Sequence, residues 1–110
     1  MSLSTVTVTL SDISNAINAG HVLWKKHALE RMLERGISRN QVKKAILQGV
    51  IIENYPDDHP IPSLLLAVNQ PEALHVVLAY DAISEQCHII TAYRPDLAHF
   101  EVDLITRRLS

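Results

Sequence analysis

His27, Arg31 and Arg35 recur every fourth residue in a stretch that reads as one short helix stopping at Gly36. On a helix that spacing sets an imidazole and two guanidiniums in one row. Like charges so placed repel one another, so the stability of the helix does not require them. Handling an anion such as a phosphate does. Imidazole titrates near physiological pH and can pass a proton. Guanidinium forks grip phosphate oxygens bidentately. Cleaving RNA through its own 2′-hydroxyl needs a proton acceptor, a proton donor and stabilisation of a charged phosphorane. Tyr93 and Arg94 form a second candidate pair. They end the last apolar run, and Arg94 is the only basic residue from Glu53 to Asp103, among nine acids. The plain alternative is a solvated face, with Glu30 and Glu34 pairing to their cations and Arg94 pairing to Asp96 or Glu101.

The remaining polar groups point to simpler roles. His75 and His88 lie in apolar, strand-like runs, where a partly buried histidine is expected to be a hydrogen-bonded structural residue. Asp57, Asp58 and His59 form a small oxygen and nitrogen cluster, but their spacing matches no zinc pattern. Only three glycines are present, and none forms a phosphate-cradling loop. Cys87 has no sequence neighbour that would activate it, so it reads as a core residue. Arg107 and Arg108 fit either an RNA-facing tail or a solvated terminus. No cofactor and no metal is expected.

Those side chains must be positioned by a single domain spanning 1–110. Apolar residues make up 47% of the chain and aromatics 5%, so the core must be aliphatic. A lone cysteine excludes an internal disulfide framework and fits a reducing, cytoplasmic setting. The sequence shows no signal peptide and no apolar run of membrane-spanning length, so no membrane association is expected. The net charge of −2 hides an asymmetry. Residues 25–44 carry seven basic residues against Glu30 and Glu34, which leaves room for a local anion site.

Residues 1–22 read as an N-terminal arm and helix. Ser11 is the expected N-cap, Ile13, Ala16 and Ile17 the buried stripe, and Gly20 the stop. Residues 23–49 read as a helical hairpin. Its first helix, over 26–35, buries Ala28, Leu29, Met32 and Leu33 and starts without a good cap. Ser38 and Gln41 form a capping box for the second, which buries Val42, Ala45, Ile46 and Leu47 and ends at Gly49. Residues 50–94 then change to short apolar runs at 50–53, 63–68, 74–80 and 87–93, joined by turn-forming connections. Short connections predict an antiparallel meander. Residues 95–110 are expected to form a final helix or tail. The predicted fold is α+β, with short N-terminal helices packed on a four-stranded antiparallel sheet in two layers.

The pattern resembles a family of small bacterial domains that carries no assigned function. Its elements are His27-Ala28-x-x-Arg31-Met32-x-x-Arg35-Gly36-Ile37-Ser38, an isoleucine- and glycine-bearing helix end at Ile46 and Gly49, Ile52-Glu53-x-Tyr55-Pro56, His75-Val76-Val77 and Ile90-Thr91-x-Tyr93-Arg94-Pro95-Asp96. The resemblance covers about 25–108. A looser similarity is to the BrnT and RelE-like toxins of bacterial toxin–antitoxin pairs, which place helices before an antiparallel sheet. Their last strands carry an Ile-Ile-Ser-Ala-Arg-like run, similar to the stretch from Ile89 to Arg94 with Tyr93 inserted. This likeness implies a compact ribonuclease fold and messenger-RNA cleavage, with a small antitoxin-like protein as partner.

The leading expectation is a metal-independent endoribonuclease. His27 would be the general acid or base, Arg31 and Arg94 would hold the phosphate, and Arg35, Tyr93 and His75 would bind phosphate or support the others. The alternative is a non-catalytic binding module whose basic hairpin holds an anionic protein or nucleic acid, RNA included. A third is an interaction protein that forms a homodimer through an exposed, uncharged edge strand at 63–68.

Overall fold

The computed structural model describes residues 8–70 and 72–96. Along them run α1 (Leu10–Asn18), β1 (Val22–Trp24), α2 (Lys26–Arg35), α3 (Arg39–Gln48), β2 (Val50–Tyr55), β3 (Ser63–Val68), β4 (Leu74–Asp81) and β5 (Gln86–Tyr93). The α+β class holds. The sheet, however, is a five-stranded mixed one in the order β1-β5-β4-β3-β2, not four antiparallel strands. Strands β2 to β5 form the antiparallel meander. The fifth strand, β1, pairs in parallel with β5 along Val22↔Cys87 to Trp24↔Ile89. At three residues β1 is too short to show alternation in sequence, and its pairing is tertiary. Of the terminal helix or tail expected at 95–110, residues 97–110 lie outside the described residues, as do residues 1–7 of the arm and helix expected at 1–22.

Helix ends follow local chemistry. The N-cap of α1 is Thr9, not Ser11. Its hydroxyl accepts from the backbone N–H of Asp12 at 3.2 Å, and the Asp12 carboxylate accepts from the N–H of Thr9 at 3.1 Å. Ser11 has Ser14 three residues on and so lacks the carboxylate that closes such a box. Helix α3 starts as expected, with Ser38 and Gln41 exchanging bonds of 2.7 and 3.1 Å. Helix α2 has Lys25 at its N-cap and no side-chain cap there. It ends at Gly36, whose φ of 66° is left-handed. The N–H groups of Gly36 and Ile37 return to the carbonyls of Leu33 and Met32, and glycine adopts this conformation without the steric cost that a Cβ would bring.

The core lies between the three helices and one face of the sheet. Ile13, Ala28, Met32, Val42 and Ile46 meet Leu64, Leu66, Val76, Leu78 and Ile89, all buried. The expected stripe of α2 is half right. Ala28 and Met32 are buried, but Leu33 is 83% exposed. On the other face of the sheet Leu65, Ala67, His75 and Ala79 are buried too, which is why β3 and β4 read as nearly continuous apolar runs. Strand β3 pairs with β2 on one side and β4 on the other, so it is not the edge expected at 63–68. The edge of the meander is β2, and a bulge between Ile51 and Glu53 interrupts it.

Candidate functional site

Helix α2 rises about 1.5 Å per residue, so His27 and Arg35 are separated by about 12 Å along its axis. The two side chains meet different partners. At the start of the helix, His27 stands 92% exposed, with Nδ1 3.3 Å from Glu30 Oε1. One turn on, Arg31 donates to Glu34 Oε1 at 3.4 Å, and both side chains are largely exposed. Exposed pairs of this kind contribute little to stability. They are the pairings expected for a solvated face.

The last turn of α2 differs. The Arg35 guanidinium donates to the carbonyl of Ala92 at 2.8 Å and to the Thr91 hydroxyl at 3.3 Å, tying the helix to β5. Arg94 follows directly after β5. Its Nη1 donates to the Arg35 carbonyl at 2.6 Å and its Nη2 to the Gly36 carbonyl at 3.3 Å. These acceptors lie at the negative end of the helix dipole, where a cation is favoured. Its Nε donates to Glu72 Oε1 at 3.3 Å, and Gln41 Nε2 donates to the same oxygen. The structure therefore brings Arg35 and Arg94 together around backbone carbonyls. It sets His27 at the other end of α2, where Glu30 is its neighbour.

His75 and Tyr93 face each other across β4 and β5. Their rings are 5.3 Å apart and tilted by 59°, with His75 Nδ1 3.4 Å from the Tyr93 hydroxyl. His75 is fully buried, and this contact with Tyr93 joins β4 to β5. Cys87 is also fully buried, and burial pushes its thiol up to about 11. A thiol held protonated in this way is not a nucleophile. Among the described residues, Asp57, Asp58 and His59 belong to no group able to hold a metal ion. No described helix is long and apolar enough to cross a membrane.

Two participants were not singled out in the sequence. Glu72 sits in a connection, and nothing local marks it as the partner of Arg94. Trp24, on β1, lies under the Arg39 guanidinium at 5.8 Å, a cation–π geometry. The proximity of a tryptophan to a basic segment was its only sequence signal. Lys26, Arg31, Arg39 and Lys44 remain exposed on α2 and α3.

Residues 24–94 match the model of a family described as Domain of unknown function (DUF4258). The match covers more than half of the chain, so the chain belongs to this family. No curated protein and no solved structure matches it.

Proposed function

We propose that this member of the DUF4258 family is a non-catalytic binding module that holds an anionic partner on the exposed face of its helical hairpin. One observation carries the reading: the cations divide by location. Arg35 and Arg94 are committed to backbone carbonyls. Lys26, Arg31, Arg39 and Lys44 face solvent, with Glu30 and Glu34 as the acids among them. A surface with that excess of positive charge raises the local concentration of anions and steers them inward. Recognition dominated by exposed charge must weaken as salt rises.

The test is a titration of the whole chain with a single-stranded RNA oligonucleotide and, separately, with polyglutamate. Binding at low salt should fall steeply with ionic strength. Replacing Arg31 and Arg39 together by glutamate should weaken it by at least about tenfold, or 1.4 kcal/mol. Absence of binding to both probes at low salt refutes the module.

A second reading, a metal-independent endoribonuclease of the RelE/BrnT-like toxin type, has one observation in its favour. His27 is nearly fully exposed one helical turn from Arg31, a spacing that supports reading the pair as an imidazole for proton transfer beside a guanidinium for phosphate. Induced expression of wild type beside His27→Ala separates the two. Growth arrest with RNA loss that disappears in the variant establishes the ribonuclease, and normal growth in both rejects it.

A further inference from the structure

A cavity of about 270 Å³ lies beside the loop joining β2 to β3. Ser63, Ala79 and His88 line it, and they alternate with the helix-facing Leu64, Leu78 and Cys87. The cavity therefore opens on the sheet face away from the helices. Three separate elements bring residues with nitrogen-bearing side chains to its lining: Lys25 from the position before α2, His59 from the loop, and His88 from β5. The apolar part of its lining includes Ile61 and Ile90.

Two features of the backbone point the same way. Lys25 occupies the N-cap of α2, where serine or aspartate would stabilise the helix and a cation opposes its dipole. Its side chain makes no capping bond, and the residue lines the cavity. Ile90 is the residue passed over where the β4–β5 register shifts, between Thr91 opposite Val77 and Ile89 opposite Leu78. A bulge of this kind re-aims a side chain, and Ile90 is left 40% exposed at the cavity. The acid in the lining, Asp58, accepts the hydroxyl hydrogen of Ser63. Asp81, next along β4, accepts the backbone N–H groups of Ile83 and Ser84.

We propose that this cavity binds a small organic anion, with its carboxylate or phosphate head on Lys25, His59 and His88 and its apolar body on Ile61 and Ile90. Its volume is just below the range that accepts drug-sized ligands, which suits a molecule of metabolite size. Its residues are not those of the face proposed to hold a macromolecular partner, and neither proposal depends on the other.

Amide NMR spectra of the full chain, recorded during titration with hexanoate, phenyl phosphate, hexanol and inorganic phosphate, test it. Hexanoate or phenyl phosphate should shift the amides of Lys25, His59, His88 and Ile90 saturably. The tighter of the two identifies the head group. Hexanol and inorganic phosphate should bind at least about tenfold more weakly, since each lacks half of what is recognised. Lys25→Gln and Ile90→Asp, both at exposed positions, should each weaken the organic anion by about tenfold while RNA or polyglutamate binding persists. The proposal is overturned if neither organic anion gives a saturable shift up to about 20 mM. It is equally overturned if hexanol or inorganic phosphate binds as well as the organic anions, or if both variants bind like wild type.

Discussion

At the C-terminal end of α2, Arg94 reaches two backbone carbonyls and Glu72, while Arg35 reaches two acceptors at β5. At the N-terminal end, the Lys25 side chain makes no cap and His27 pairs with Glu30, out in solvent. Both ends carry cations, and the spacing of His27, Arg31 and Arg35 is uniform. What separates them is the neighbourhood. The last turn packs beside β5 and the turn to α3, so its guanidiniums find fixed carbonyls. The first turn buries Ala28 in the core but leaves the side chains of Lys26 and His27 in solvent. Identical spacing on a helix therefore yields a structural clamp at one end and an accessible charged surface at the other.

Substitutions at the two ends should separate these roles. The largest effect is expected from Arg94→Met, which removes every guanidinium bond to the helix end and to Glu72. Hydrogen bonds from a charged donor contribute about 1.5–3 kcal/mol, so stability should fall by about 2 kcal/mol, read as a lower urea midpoint. Arg94→Lys should recover little of this, because an ammonium cannot reproduce the fork that reaches two carbonyls and a carboxylate. A midpoint unchanged in Arg94→Met would break the clamp interpretation.

Gly36→Ala should cost about 1 kcal/mol. A Cβ there meets open space, so the penalty comes from the left-handed φ alone. At the opposite end the sign should reverse. Lys25→Asp supplies the missing cap and suits the helix dipole, and should raise stability by about 0.5–1 kcal/mol. The same change should abolish organic-anion binding in the cavity, so a gain in stability would coincide with a loss of function. His27→Ala should be the mildest, within about 0.5 kcal/mol of wild type in a thermal melt. A large destabilisation by His27→Ala would show that the first turn is part of the scaffold after all.

Much of the scaffold was legible because its causes are local. The Ser38 and Gln41 box, the stop at Gly36 and the bounds of β3 follow from neighbours within a few residues. The cap of α1 was misplaced because Ser11 is an equally good cap by type, and the choice turned on the carboxylate of Asp12 facing Thr9. Strand β1 was missed because three residues carry no measurable period. For the candidate site, the residues were visible and their grouping was not. Arg94 and Arg35 lie 59 positions apart in chain order and yet share one helix end.

The amino-acid sequence by itself determined the Ser38 and Gln41 cap, the stop at Gly36, the switch from helical to strand periodicity, the aliphatic core and the basic character of the hairpin. Each depends on a residue and its near neighbours. The tertiary structure alone decided that β1 joins β5 in parallel, that Arg94 clamps α2 rather than standing beside His27, and that Lys25, His59 and His88 line one cavity. Those outcomes depend on where distant segments come to rest. Burial and backbone hydrogen bonding, which no local pattern encodes, set that position.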